Sequence, residues 1–380
     1  MSLKLKKQTA NFFDQGLRLK SIVFLAVLVY VFIPNAQAEE PKLKVAVVGD
    51  TGIGERGYRP GFEAVQRAIA ADKPQVLLHL GDFIYQSKLL PSSCDPKYLD
   101  LARRAFVTPF SYRLFTPGDN DFPPTIRDPM ASGCWSELDK LDSSFDSLSS
   151  EGEARPGSFE GTKRIGPVLF VILNSQEEND PTRWLRPRIE RAKSDGLWVV
   201  IAIHEPSLTS GWFIDKRQES LRWINSLKPD LVLSGNQHSY ERFHALGIPD
   251  TDGDLPFKKS IDSKYKKGDG SVHVVSGGGG ATLKPFADWR KIKERSAPEW
   301  AMRALAFRAL THHFVSLEIS PNSIVGKTFQ VCADSKRGEG DPRWRPKDPW
   351  WRTIRLPCED SQPGVKEIDR FEILDEEMNQ

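Results

Sequence analysis

The stretch Lys44-Val45-Ala46-Val47-Val48-Gly49-Asp50-Thr51-Gly52 places an apolar, β-branched run directly before a glycine, a carboxylate, a threonine and a second glycine. Such a run reads as a buried strand, and an acid just past its carboxyl end lies where an open α/β sheet binds ligands. The arrangement recurs outward along the chain. Val76-Leu77-Leu78-His79-Leu80 leads into Gly81-Asp82-Phe83-Ile84-Tyr85, and Phe115-Thr116-Pro117 into Gly118-Asp119-Asn120-Asp121. Val199-Val200-Ile201-Ala202-Ile203 leads into His204-Glu205-Pro206, and Leu231-Val232-Leu233-Ser234 into Gly235-Asn236-Gln237-His238. Strands of one sheet bring their carboxyl ends to a common crevice, so these polar residues are expected to converge there.

Strands are expected at 43–48, 76–80, 113–115, 168–173, 198–203 and 231–233, with helices at 61–71 and 181–193 between them. This β-α-β-α order implies a mainly buried sheet with helices outside it. The later runs 272–275, 314–319 and 323–330 follow one another with little helix and suit a second sheet packed on the first. The intervals 86–111 and 122–166 are rich in Pro, Ser, Asp and Gly and read as long surface loops with a helix or two. Residues 333–380, with Pro342, Pro346, Pro349, Pro357, Trp344, Trp350 and Trp351, read as an extended Pro/Trp-rich tail packed on the body.

The 380 residues are 39% hydrophobic and 27% charged, a composition of a folded body and not of a disordered chain. Lys and Arg total 53 against 51 Asp and Glu, too balanced for the basic stripe of a nucleic-acid binder. The first 38 residues differ: they carry Lys4, Lys6, Lys7, Arg18 and Lys20 against Asp14 alone, leaving 48 basic and 50 acidic residues in the remainder. A basic stretch, an apolar run at 22–33 and Ala36-Gln37-Ala38 form the layout of a cleaved secretory signal, with the mature chain beginning at Glu39. The alternative is an N-terminal membrane anchor, but a run of 12 residues is short of the roughly 20 that span a bilayer. Stable membrane insertion after cleavage is not expected, and the mature chain divides into a body at 39–332 and the tail at 333–380. Export to the periplasm or the extracellular space makes disulfides plausible for Cys94, Cys134, Cys332 and Cys358. Of the three possible pairings, closeness in sequence favours Cys94 with Cys134 and Cys332 with Cys358.

Several carboxylates and imidazoles in one crevice repel or stay unsatisfied unless a cation neutralises them, so a metal site is the economical reading. Carboxylate, imidazole and amide donors suit zinc, manganese or iron, and a phenolate such as Tyr85 suits ferric iron. A glycine precedes each acid, which lets the backbone turn tightly beneath the site. Two other chemistries lack their signatures. Gly277-Gly278-Gly279-Gly280 has no Lys-Ser/Thr of a phosphate-binding P-loop, and Ser207, Thr209 and Ser210 have no G-x-S-x-G elbow.

The ordered motifs resemble those of the calcineurin-like metallophosphoesterases and, within that superfamily, the purple acid phosphatases. The family pattern runs G-D-x-G, G-D-x-x-Y, G-N-H-[D/E], a His after a strand, and G-H-x-H. Its counterparts here are Gly49 to Gly52, Gly81 to Tyr85, Gly118 to Asp121, His204, and Gly235 to His238, and Ser239-Tyr240-Glu241-Arg242 resembles the family's A-Y-E-R continuation. The resemblance implies an α/β fold, a four-layer α/β/β/α sandwich with two mixed β-sheets, and two divalent or trivalent metal ions, Fe, Zn or Mn. It puts Asp50, Asp82, Tyr85 and His238 on the first metal, and Asp82, as a bridge, with Asp119, His204 and Asn236 on the second. Three positions depart from the pattern: Asp119 replaces an Asn, Asn236 replaces a His, and Asn120 replaces the His that contacts phosphate and protonates the leaving group. The implied activity is hydrolysis of small phosphate monoesters by attack of a metal-bound hydroxide. The competing expectation is a degraded member, lacking the imidazoles replaced by Asn120 and Asn236, that binds a ligand or partner.

Overall fold

The computed structural model describes residues 42–55, 59–85, 94–123, 132–141, 152–155, 158–177, 180–214, 217–249, 255–288, 291–332 and 364–376. The expected signal sequence, Cys358 and the tryptophans of the tail lie outside the described residues. In chain order the strands are β1 (Leu43–Val48), β2 (Val76–His79), β3 (Tyr112–Phe115), β4 (Gly152–Ala154), β5 (Gly161–Ile165), β6 (Val168–Leu173), β7 (Trp198–Ile203) and β8 (Leu231–Ser234). They continue as β9 (Tyr240–Leu246), β10 (Phe257–Lys258), β11 (Lys264–Lys266), β12 (Ser271–Ser276), β13 (Leu305–Ala309), β14 (His313–Ser320), β15 (Ser323–Cys332) and β16 (Gly364–Leu374). The helices include α1 (Arg59–Asp72), α2 (Pro96–Ala102), α3 (Trp135–Leu138), α4 (Thr182–Ser194), α5 (Gln218–Ser226) and α6 (Glu299–Ala304).

The strands make two mixed sheets. One runs β11-β16-β15-β14-β1-β2-β3, and the other runs β10-β9-β12-β8-β7-β6-β5-β4 with β13 paired to β9. Within the first, β1, β2 and β3 are parallel and β14 is antiparallel to β1. Within the second, β6, β7, β8 and β12 are parallel.

Because successive strand residues point to opposite faces, each apolar strand feeds two different cores. Val45, Val47, Val76 and Leu78 of the first sheet share one core with Phe170, Ile172, Val200, Ala202, Leu231 and Leu233 of the second. The alternate residues Ala46, Val48 and Leu77 meet Phe62, Val65 and Ile69 of α1. On the far side, Leu169, Val171, Val199 and Ile201 meet Leu185 and Ile189 of α4 and Ile224 of α5. The layers are therefore helix, sheet, sheet, helix, the four-layer sandwich expected. The all-apolar strands reflect parallel sheets covered on both faces.

Elements that periodicity did not predict owe their positions to tertiary pairing. Strand β9, Tyr-Glu-Arg-Phe-His-Ala-Leu, is buried along its whole length despite three polar residues in its middle. Each of them is satisfied: Glu241 by Thr209 and Ser210, Arg242 by Asp369, and His244 by Tyr265. Strand β5 lies inside the expected loop 122–166, where it pairs antiparallel with β6. In the tail, β16 inserts between β11 and β15, so this part of it is a strand of the first sheet. Asp369 of β16 receives hydrogen bonds from Arg242 Nε and Tyr240 Oη, both at 2.7 Å, which links the two sheets.

Cys94 and Cys134 form a disulfide across a sequence separation of 40, tying together the two long connections that follow β2 and β3. Cys332 is also disulfide-bonded. No helix among the described residues is long and apolar enough to cross a membrane.

Candidate metal centre

The carboxyl ends of β1, β2, β3, β7 and β8 meet at one edge of the sandwich, and all eight predicted site residues lie there. Asp50 and Asp82 are buried, as are His204 and His238, while Asp119 and Asn120 are partly exposed. The turns that present them differ from expectation. Asp50, Asp82 and Asn236 themselves adopt left-handed backbone, with φ of 58°, 57° and 62°, a conformation Asp and Asn tolerate better than most residues but still at a cost. The neighbouring glycines share in these turns, Gly52 and Gly81 having φ of 72° and 91°, and glycines around the site also allow close approach. A Cβ on Gly118 would lie 2.2 Å from both the backbone nitrogen and Oδ1 of Asp82, and one on Gly277 would lie 2.7 Å from Asp50 Oδ2. The tetraglycine run is thus a tight crossing under the site.

Two groups of donors flank Asp82. On one side Tyr85 Oη donates to Asp82 Oδ2 at 2.7 Å and lies 3.2 Å from Asp50 Oδ1 and from His238 Nε2. His238 Nε2 is 3.3 Å from Asp50 Oδ1. On the other side His204 Nε2 is 3.4 Å from Asp82 Oδ1 and 2.9 Å from Asp119 Oδ1. Asn120 holds the carboxylate between them, its backbone N–H donating to Oδ1 at 2.9 Å and its side-chain amide to Oδ2 at 2.7 Å. Asn236 is joined through its backbone N–H to Asp50 Oδ2 at 2.8 Å.

Asp121, to which the motif comparison assigned no role, anchors this arrangement. Its carboxylate accepts from the backbone N–H groups of Asp82 at 2.8 Å, Phe83 at 2.9 Å and Gly118 at 3.0 Å, locking the β2 and β3 loops together. Burial pushes its carboxyl up to about 7 against the pull of these donors. The signal was its place as the last residue of the Gly118–Asp121 motif.

Burial, followed by the charge of Asp119, raises the Asp82 carboxyl well above its ordinary value. Burial opposes a proton on His204, but the Asp82 charge and the hydrogen bond to Asp119 outweigh it and hold the imidazole well above its usual value. Asp119 resists its own burial through the bond from His204, with help from the charges of His204 and Lys284, and falls to about 2. The Tyr85 phenol is raised by burial and then by Asp82. Protons are thus shared among groups that a cation would neutralise together.

The donor set fits a metal. Asp50, Asp82 and His204 each offer one ligand atom within 4.8 Å of the others. Each imidazole donates from Nδ1 to a backbone carbonyl, His204 to Leu80 and His238 to Thr282, which fixes its tautomer and turns Nε2 inward. A cavity of about 390 Å³ opens beside Asp119 and Asn236, walled by Glu205, Trp212, Arg217 and Lys284. Glu205 directly follows His204, whereas Trp212 and Lys284 on loops and Arg217 at the start of α5 carry no periodic or motif signal. His79 and His273 are buried within β2 and β12.

Residues 43–240 match the family model described as calcineurin-like phosphoesterase, a span that contains every residue of this centre. The chain belongs to that family. Among curated proteins, this phosphoesterase is 36% identical over 114 residues to an uncharacterized protein of Mycobacterium tuberculosis, with the same figures in two strains. The match covers 27% of this chain and 21% of that protein, so the chain aligns with only about a fifth of its relative's length. Among solved structures, a purple acid phosphatase from yellow lupin (Lupinus luteus) seeds superposes with a TM-score of 0.57 at 14% identity, covering 89% of this chain and 54% of that one. At that identity the likeness is one of fold.

Proposed function

We propose that this phosphoesterase is an exported hydrolase of small phosphate monoesters, working at a centre that holds two metal ions. The observation that carries the reading is the disposition of Asp82, whose Oδ2 faces Tyr85 at 2.7 Å while Oδ1 faces His204 at 3.4 Å. With donors grouped at both oxygens, Asp82 would belong to both ligand sets. Asp50, Tyr85 and His238 would complete one ligand set, and Asp119, His204 and Asn236 the other. When bound there, divalent or trivalent ions supply activation of water near neutral pH and neutralise charge developing on the phosphoryl oxygens.

The remaining work falls to the chain. Asn120 fixes Asp82 through two hydrogen bonds. An amide has no proton to give a departing alkoxide, so esters with acidic leaving groups are the better substrates. The cavity beside Asp119 and Asn236 is where the ester docks, with Trp212 as an apolar wall. Glu241 keeps this wall in place by accepting from Thr209 Oγ1 and from the Ser210 N–H, both at 2.6 Å. Export is supported by the three-part N-terminal pattern and by the Cys94–Cys134 disulfide, a bond that persists in oxidising compartments.

A second reading, a ligand- or partner-binding protein built on a degraded esterase, is favoured by Asn120 and Asn236 alone. A substrate panel separates the two. The mature protein loaded in turn with zinc, manganese and iron is assayed with an aryl phosphate monoester and the matching diester. The esterase reading expects turnover with the monoester preferred. Turnover of neither substrate with any metal favours the binding protein.

A further inference from the structure

We propose that Lys284 is the cation that binds the phosphoryl oxygens of the substrate, a task that Asn120 is not free to perform. The inference rests on the esterase reading for the identity of the ligand, and on three observations for the residue. Asn120, in the position where the family pattern has a phosphate-contacting His, spends its side-chain amide on Asp82 Oδ2 at 2.7 Å and lies 3.5 Å from Asp119 Oδ2. The phosphate is left without that contact. Two cations line the cavity that adjoins Asp119 and Asn236, Arg217 and Lys284. Arg217 is tethered, its Nε donating to Glu205 Oε2 at 2.9 Å, while its Nη1 is buried with no hydrogen-bond partner among the described residues. Lys284 is not: among the described residues its ammonium forms no hydrogen bond and no ion pair, although its charge reaches Asp119.

The backbone shows why the lysine stays at the site. The Lys284 N–H lies 3.3 Å from the carbonyl of His238, and two residues earlier the Thr282 carbonyl accepts from His238 Nδ1. The segment that orients a predicted ligand imidazole therefore also carries Lys284. Glu55 accepts from the Thr282 N–H at 2.9 Å, which pins the same segment from the β1 side. Lys284 is half-buried, and its ammonium, without a partner among the described residues and next to a centre whose carboxylates would be engaged by metal, is poised for an incoming anion. Lysine serves this role as a compact point charge with three donors.

The test uses inorganic phosphate as the probe and the metal-loaded protein, wild type, Lys284→Gln and Lys284→Arg, in titration calorimetry with metal content measured on each. A charge-assisted hydrogen bond contributes enough that Lys284→Gln is expected to weaken phosphate binding by about 10- to 100-fold. Lys284→Arg is expected to stay within about threefold of wild type. Metal content should be equal in all three. Unchanged phosphate affinity in Lys284→Gln overturns the assignment, as does a wild-type protein that binds no phosphate. Loss of metal from Lys284→Gln also overturns it, by placing the lysine beneath the metal centre and not on the ligand. A protein that binds phosphate through Lys284 yet hydrolyses no ester contradicts the esterase reading while upholding this one.

Discussion

The side-chain nitrogen of Asn120 donates to Asp82 Oδ2 at 2.7 Å. The residue that follows Asp119 in the third motif thus braces the proposed bridging carboxylate and brings no titratable group to the leaving atom.

Asn120→His is therefore expected to change substrate preference. A positioned acid matters most for poor leaving groups, so turnover of an alkyl phosphate should rise by about 10²-fold while that of an activated aryl phosphate stays nearly constant. A leaving-group series on the metal-loaded variant measures this. Equal gains or equal losses across the series would show that no proton donor is missing at this position.

Tyr85 Oη lies within 3.2 Å of Asp50 Oδ1 and His238 Nε2, a position from which a phenolate can reach a shared ion. Iron-loaded protein is expected to show a visible charge-transfer band that Tyr85→Phe abolishes. A colourless ferric protein, or a band that survives in Tyr85→Phe, removes the tyrosine from the ligand set.

Away from the centre, acid should destabilise the fold through His273. Burial holds this imidazole down at about 3, against an ordinary value of 6.5, and its Nε2 lies 2.9 Å from Asn225 Oδ1. The folded state keeps the ring neutral while the unfolded chain takes up a proton below 6.5. Its contribution is complete above pH 6.5 and is lost as pH falls towards 3, by about 1.4 kcal/mol per pH unit. Unfolding titrations across this window should show a shallower pH dependence in His273→Gln. Parallel curves for variant and wild type would contradict the assignment.

Much of this was legible because the strands are so apolar. The runs ending at Val48, Leu80, Phe115, Ile203 and Ser234 announced their own ends, and the acids and imidazoles just beyond them had to converge once the sheets formed. Strand β9 was hidden because Glu241, Arg242 and His244 break the apolar pattern and are paid for by distant partners. Strand β16 was hidden for a related reason: charged residues fill much of Val365 to Arg370, and Asp369 makes sense only once Arg242 and Tyr240 are beside it. Lys284 and Arg217 carried no signal because a cavity wall made from separate loops has no periodicity. The backbone at Asp50 and Asp82 was misjudged in one respect, since the acids and not only the glycines take the left-handed turn.

The central claim is that Asp82 bridges two metals that the reaction needs. Elemental analysis of the purified protein, paired with hydrolysis of an activated aryl phosphate by wild type and Asp82→Asn, tests it most directly. The account predicts two metal ions per chain and measurable turnover in the wild type, with metal lost and the rate down by at least about 10²-fold in the variant. One metal or none in the wild type, or turnover that Asp82→Asn leaves intact, would contradict it.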